Sequence, residues 1–233
     1  MKVIINDDRQ ILFSILIPTL EDRKEQFDKL YGKLSKQITD NLLQDEVEIV
    51  FLLDDKQQSI GSKRNKLIEL AKGTFVAFID DDDDVSNDYV RIICTAIKEN
   101  PAIDCIGIKG ITTFLGRKNH HIFIHSLQYK SYFSKGGVYF RPPYHLNPIK
   151  REIARLYKFE EVNYYEDIDW AMRISRDQAL KKEYFIDSVI YYYNSRRPWV
   201  YQFLLDVSEP IRHRLGLQLA NVVRLKRWIK SVL

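Results

Sequence analysis

"FVAFIDDDDDVSND", residues 75–88, runs an apolar segment directly into five consecutive aspartates. In an extended chain alternate carboxylates would sit roughly 6 to 7 Å apart. At an effective dielectric near 20, each such pair repels by about 2.5 kcal/mol before salt screening. What offsets this repulsion depends on where the run stands. "TFVAFID" is a short, nearly continuous apolar run, the pattern of a strand covered on both faces in a parallel sheet, and "ILFSILIP" and "VEIVFLLD" upstream repeat it.

Helical patterns separate these runs. Phe27, Leu30, Tyr31, Leu34 and Ile38 recur at helical spacing, with charged residues filling the other face. "SKRNKLIELAKG" predicts a short helix closed by Gly73 as its C-terminal cap. The unit is βαβαβ, and its parallel strands end along one edge, where open α/β sheets keep their ligand crevice. Strand one ends in Pro18, Thr19, Leu20, Glu21, Asp22 and Arg23, strand two in Asp54 and Asp55, and strand three in Asp80 to Asp84. Acidic groups from separate strands are thus predicted to converge.

Beyond the aspartates a helix is predicted from Ser86, as N-cap, to Glu99, with Val90, Ile93, Cys94 and Ile97 inward. After Pro101, "DCIGIKGITTF", "HHIFIHSLQY" and "GGVYF" read as strands joined by "LGRKN" and "SKGG" turns, a mixed or antiparallel extension. Asn147 reads as the cap of a helix with Pro148 at its first position. A last helix begins near Glu166, and the strand "EYFIDSVIYYY" follows.

Composition sets outer limits. A chain of 233 residues, 45% hydrophobic, with no Pro/Gly/Ser-rich linker and no repeat, reads as one domain over 1–233. Its longest apolar stretches fall short of the roughly 20 residues that span a bilayer. The first ten residues carry Asp7 and Asp8 and lack a small-residue cleavage site, which is not the pattern of a signal peptide. With Cys94 and Cys105 as the two cysteines there is no disulfide framework and no CxxC spacing, and a reducing cytosol fits. The net charge of +4 implies nothing by itself about nucleic acid. From Pro210 onward, however, Arg212, Arg214, Arg224, Lys226, Arg227 and Lys230 meet no acidic residue, and Leu215, Leu219, Val222, Leu225, Ile229 and Val232 fall near one helical face. Such a segment packs on a core or partner subunit, lies on an anionic membrane, or meets a phosphate backbone.

Three constellations carry chemistry. The aspartate run is a solvated loop, a calcium-type site, or a strand-end motif holding a divalent cation beside phosphates, and its place in a crevice favours the last. "GSKRN", residues 61–65, sets Lys63 and Arg64 in a first helical turn, where the dipole disfavours them. With free N–H groups beside them they would form an anion site suited to a diphosphate; the alternative is a solvated helix face. In "YYEDIDWAMRI", residues 164–174, Glu166 and Asp167 are either favourable acids at a helix start or a carboxylate placed to take a proton from an attacking hydroxyl. Of the histidines, His145, lying between prolines, is the least ordinary.

Taken in order, "SILIPTLEDR", "GSKRNKLIELAKGTFVAFIDDDDDVSNDYV" and "EDIDWAMRI" resemble the family-two glycosyltransferases with the GT-A fold, over roughly residues 11–194. The resemblance implies an α/β/α sandwich, with a Rossmann-like nucleotide-sugar-binding half over 11–104 and a mixed-sheet acceptor and catalytic-base half over 105–194, followed by the basic segment 195–233. It implies Asp82 as ligand of Mn2+ or Mg2+, Asp80 and Asp81 against ribose and diphosphate, and Thr19 with Asp54 or Asp55 as nucleotide contacts. Glu21 and Arg23, beside Thr19, are expected as further nucleotide-sugar contacts, Arg64 is implied as a base or phosphate contact, and Asp167 as the general base. The chain departs from the family where Leu20 and Glu21 replace an aromatic and an asparagine, and where "DDKQQS" replaces Asp-Asp-Gly-Ser.

The implied activity is metal-dependent, inverting transfer from a nucleoside diphosphate sugar, UDP-sugar first, to an acceptor hydroxyl in surface glycan synthesis. A glycan or lipid-linked acceptor is expected, with the protein cytoplasmic and in peripheral membrane contact through its C-terminal segment. Alternatives are a hydroxylated DNA base or protein side chain as acceptor, or a nucleotide- or cation-binding module without turnover. On this reading the cation and its nucleotide offset the aspartate repulsion.

Overall fold

The structure, a computed structural model, describes residues 11–114 and 120–195. The three apolar runs form β1 (Phe13–Leu20), β2 (Val47–Asp54) and β3 (Phe75–Phe78), with α1 (Lys24–Asp40) and α2 (Ile60–Leu70) as the crossings. β1 lies in the middle, parallel to both neighbours, with Phe13 opposite Val47 on one side and Phe75 on the other. Its residues from Phe13 to Thr19 are all buried, as a strand covered on both faces must be. β2 departs from the expected double cover: it is the edge strand, with Phe51 42% and Leu53 44% exposed. Phe51 is covered only in part, by Phe27 and Tyr31 of α1 at ring-centroid distances of 4.8 and 6.0 Å.

β3 leads into a two-residue strand β4 (Asp84–Val85) and then α3 (Tyr89–Glu99). Val90, Ile93, Cys94 and Ile97 face inward as their spacing predicts. Ser86 does not cap this helix; Asp88 occupies that position, and the Ser86 hydroxyl donates to its carboxylate at 2.7 Å. Gly73 is likewise no helix cap, because α2 ends in extended Ala71. Glycine is required there by close approach: a Cβ would lie 2.6 Å from the Ser14 backbone nitrogen.

The second half is the mixed extension expected. β5 (Cys105–Phe114) pairs antiparallel with β6 (His120–His125), which pairs in parallel with β8 (Val138–Arg141), and β7 (Phe133–Lys135) closes the edge as a hairpin on β8. The "SKGG" turn joins that hairpin, with Gly136 and Gly137 at φ 60° and 78°, the double positive φ that a two-residue hairpin loop demands. The "LGRKN" turn lies outside the described residues.

Asn147 corrects another expectation. It starts no helix, since Ile149–Lys150 form a short strand, β9, between β3 and β5, followed by the single turn α4 (Arg151–Ala154). Its buried amide instead ties the loop together, accepting from the Tyr144 N–H at 2.9 Å and donating to the Ile106 carbonyl at 2.9 Å. α5 (Glu166–Arg176) starts where predicted, and β10 (Glu183–Ser195) runs parallel to β5 before pairing antiparallel with β4 at Tyr191 and Tyr192. That last pairing sets the end of β10 against the aspartate turn. The core, with Ile15, Leu16, Ile17, Leu34, Leu67, Ile79 and Trp170 fully buried, lies on both faces of β1 and β3. Each such side chain contributes roughly 1.5–3 kcal/mol by leaving water.

Candidate active site

The aspartates are not extended. The Asp83 N–H donates to the Asp80 carbonyl at 3.0 Å, a turn that sends successive carboxylates in different directions, each to its own partner. Asp80 accepts from Arg64 Nη2 at 3.1 Å. Asp81 is buried and accepts from the Thr19 hydroxyl at 2.8 Å and from Arg23 Nη1 at 2.9 Å. Asp83 accepts from the Tyr191 hydroxyl at 2.7 Å and the Asn194 N–H at 2.8 Å, and Asp84 accepts from Lys33 at 2.7 Å. Asp82 is half-buried, and its backbone carbonyl accepts from the Asn194 side chain at 2.9 Å. Most of the repulsion is therefore offset inside the chain by α1, α2 and β10, where the sequence reading had assigned that work to a cation and nucleotide.

Protonation follows the partners. Burial opposes ionisation of Asp80, but the Arg64 guanidinium outweighs it and holds the carboxyl well below the usual range. Asp83, buried and facing the Asp80 charge with only neutral donors, is pushed well above it.

"GSKRN" is explained residue by residue, and not as an anion site. A Cβ on Gly61 would sit 1.8 Å from the Glu160 carbonyl oxygen, so this glycine lets the segment before α5 lie on the start of α2. That segment caps the helix: the Ile60 N–H donates to Asn163 Oδ1 at 3.0 Å and the Gly61 N–H to the Val162 carbonyl at 3.2 Å. Ser59 takes the next two, Ser62 through its hydroxyl at 3.1 Å and Lys63 through its carbonyl at 3.1 Å. The first-turn N–H groups are thus engaged and do not form the diphosphate cradle predicted.

The two basic residues turn inward. Lys63 is buried, pairs with Asp54 and donates to the Thr19 carbonyl at 2.9 Å, while the Gln58 N–H donates to the second Asp54 oxygen at 3.0 Å. Burial acts against the charged form of Asp54, and Lys63 with the Gln58 N–H overcomes it and lowers the pKa. Arg64 is 3% exposed, between the Phe78 and Phe159 rings at 5.2 and 5.7 Å. Its Nε lies 3.5 Å from Glu166 Oε1, so one guanidinium joins the aspartate turn to the start of α5.

α5 begins sharply. Tyr165 has φ 72°, a left-handed conformation costly for a side chain of this size, and the turn carries Glu166 inward. Burial, partly countered by Arg64 and reinforced by Asp167, raises the Glu166 pKa to about 7. The Asp167 side chain remains about a quarter exposed, at 25%, with Oδ1 accepting from the Ile168 N–H at 2.7 Å.

Of the residues singled out in the sequence, Thr19, Arg23, Arg64, Asp80, Asp81, Asp82 and Asp167 come together here. Asp54 joins through Lys63. Glu21 and Asp55 are exposed, and among the described residues neither is tied to the cluster by a hydrogen bond or ion pair. Sequence reasoning assigned nothing to Lys63 as the Asp54 partner, to Tyr191 and Asn194, or to Glu166 as a buried acid. The one available signal was the pair of basic residues in a helical first turn, and it pointed to buried carboxylates instead of a ligand anion. The basic segment, from residue 196 onward, lies outside the described residues.

Among the described residues no group of three or more His, Cys, Asp and Glu side chains is placed to hold a metal ion, and no helix is long and apolar enough to cross a membrane. A magnesium or manganese ion bound beside phosphates needs only one or two carboxylates from the protein. Asp82, half-buried at the aspartate turn, fits that part.

The family model "Glycosyl transferase family 2" matches residues 33–173, more than half of the chain. No curated protein matches the sequence. Among solved structures, S. aureus TarS residues 1–349 in complex with UDP-GlcNAc superposes with a TM-score of 0.54 at 16% identity, covering 81% of this chain and 60% of that one. The same protein in complex with UDP gives 0.55 at 17% identity, over 79% and 60%. The chain thus spans about 60% of the TarS piece whose fold it shares. With β2, β3, the aspartate turn and the Glu166–Asp167 helix start all inside the matched region, the chain belongs to glycosyltransferase family 2.

Proposed function

We propose that this glycosyltransferase domain moves a sugar from a nucleoside diphosphate sugar to an acceptor hydroxyl with inversion. The observation that carries the reading is the meeting of the aspartate turn and the start of α5 across Arg64, 3.1 Å from Asp80 and 3.5 Å from Glu166. It supports a reading in which Asp82, at the end of the donor-side motif, and the Asp167 carboxylate serve one reaction.

Asp167 takes the proton of the acceptor hydroxyl. The oxygen attacks the anomeric carbon, the bond from that carbon to the phosphate oxygen breaks, and the diphosphate leaves with the electron pair. A divalent cation held through Asp82 would supply charge neutralisation at the leaving diphosphate. Arg23, one-third exposed and fixed by Asp81, is the arginine open to that side. Arg64, buried, keeps Asp80 ionised. Uridine is the first nucleotide to test, because a protein of the same fold was solved with UDP-GlcNAc. For the acceptor we favour a glycan or lipid-linked hydroxyl in surface glycan synthesis, as the family resemblance implies.

The test is thermal unfolding with Mn2+ and a panel of nucleoside diphosphates, wild type against Asp82→Ala. A nucleotide at 100 times its dissociation constant adds about 2.7 kcal/mol. In a chain of this size that is a shift of roughly 5–11 °C. Metal-dependent stabilisation by one nucleotide, absent in the variant, is the expected outcome. No stabilisation by any nucleotide overturns the donor site.

A further inference from the structure

His145 is buried, 4% exposed, and neither ring nitrogen has a hydrogen-bond partner among the described residues. An unsatisfied buried polar group ordinarily costs about 1–3 kcal/mol and is rare in folded proteins. The ring is nonetheless aimed: Nε2 lies 3.8 Å from Asp80 Oδ2 and Nδ1 lies 4.0 Å from Asp167 Oδ2. One imidazole therefore stands between the donor-side carboxylate and the carboxylate placed to act as base.

The backbone fixes this placement. The Phe78 N–H donates to the His145 carbonyl at 3.0 Å, two residues before Asp80. On the other side Asn147 locks Tyr144 through its side chain and its own N–H, each at 2.9 Å. The Tyr144 ring packs on the imidazole at 4.3 Å and Phe78 meets it edge-on at 6.2 Å. Such a ring shifts little when the site fills, whereas Asp167 sits at a helix start with part of its side chain in water. Hydrogen bonds at reacting groups are commonly long without substrate and tighten when it binds.

The two carboxylates differ in what else they hold. Asp80 already accepts from Arg64. On Asp167, Oδ1 takes the Ile168 N–H, and Oδ2 is the oxygen turned to the ring. Asp80 has a full positive charge beside it in Arg64, whereas among the described residues Asp167 meets only neutral groups, the Ile168 N–H and the Tyr144 side chain, so the single imidazole proton is assigned to Nδ1, facing Asp167. Each carboxylate oxygen keeps a second lone pair for an acceptor proton.

We propose that His145 is a positioning residue for the transfer: its Nδ1–H holds Asp167 Oδ2 in register with the donor motif, so that base and anomeric carbon are set by one rigid ring. This rests on the assignment of Asp167 as base.

Two measurements test it. The first is release of UDP from UDP-GlcNAc and UDP-glucose with water as acceptor, comparing His145→Asn, His145→Gln and His145→Phe. Asparagine places its amide nitrogen near the Nδ1 position and glutamine near Nε2. His145→Phe is expected to lower kcat about 10–100-fold, as loss of groups that orient reacting side chains does, with donor KM changed less than threefold. His145→Asn recovers most of that loss and His145→Gln does not. Equal recovery by the two amides, a raised donor KM at unchanged kcat, wild-type kcat in His145→Phe, or failure of all three variants to fold overturns the proposal.

The second needs no turnover. Imidazole 15N–1H spectra of the wild type with Mg2+ and UDP, His145 assigned by its loss in His145→Asn, are expected to show a proton on Nδ1. A neutral ring protonated on Nε2 alone overturns the proposal. Asp167→Ala run alongside separates the two claims. Normal UDP release in that variant defeats the base assignment itself; loss there with a silent His145 series defeats the bridge alone.

Discussion

Glu166→Gln isolates the charge that the fold works hardest to keep out of α5. The substitution retains the shape of the side chain and an oxygen for Arg64 Nε, 3.5 Å away, and removes only the ionisation. Burial raises the Glu166 pKa from 4.5 to about 7 in the folded protein. Because the folded value lies above the unfolded one, this carboxyl favours folding most below pH 4.5, and that contribution is lost as the pH rises through 7. Over that window the wild type loses about 3 kcal/mol relative to the glutamine variant, most of it between pH 5 and 8. About 2.5 kcal/mol of it falls between pH 5 and 8, so at roughly 2–4 °C per kcal/mol for a chain of this length the variant's Tm gains roughly 5–10 °C on the wild type between those limits. The assay is thermal unfolding by circular dichroism at pH 5, 6, 7 and 8, in EDTA and without nucleotide. Taking the difference between the two proteins cancels Asp80, Asp83 and the other groups they share. A gap that stays constant within about 1 °C would refute the reasoning, because Arg64 would then be holding Glu166 ionised throughout.

Two further substitutions probe how the site is assembled. Gly61→Ala pushes a methyl group against the Glu160 carbonyl, a backbone atom that cannot swing aside, and should cost about 1–3 kcal/mol in urea unfolding; an unchanged midpoint would mean that the 160–163 segment is not seated on α2. Asp54→Ala strands the buried Lys63 and should cost about 3–5 kcal/mol, most of it recovered in Asp54→Ala/Lys63→Met. Equal stability of the single and double variants would show that the pair is not the source of the loss.

Much of the architecture was legible because it rests on local chemistry. The β1 and β3 runs are apolar without alternation, α1 carries its apolar stripe, and the two glycines of "SKGG" supply the positive φ of the hairpin. Readings failed where one residue type serves two purposes. Gly73 is there for backbone approach and not as a cap. Asn147 has the local signature of a helix start, yet its amide donates to the Ile106 carbonyl of β5 and accepts the Tyr144 N–H of the loop it closes. β2 is as apolar as β1, but only the order of strands makes it an edge.

The sequence by itself determined that acidic strand ends and the Glu166–Asp167 helix start are present, and the order in which they occur, since strand ends and helix starts follow from periodicity. It could not say which charge meets which. Five adjacent aspartates are equivalent in a list and different in the fold, where Arg64, Arg23, Tyr191 and Lys33 arrive from four separate elements to meet Asp80, Asp81, Asp83 and Asp84. Electrostatic energy depends on separation in space and on burial, both of which are set by packing of segments far apart in the chain, as Asn194 and Asp83 are at 111 residues. That is why the opening repulsion had an answer that only the tertiary structure contained.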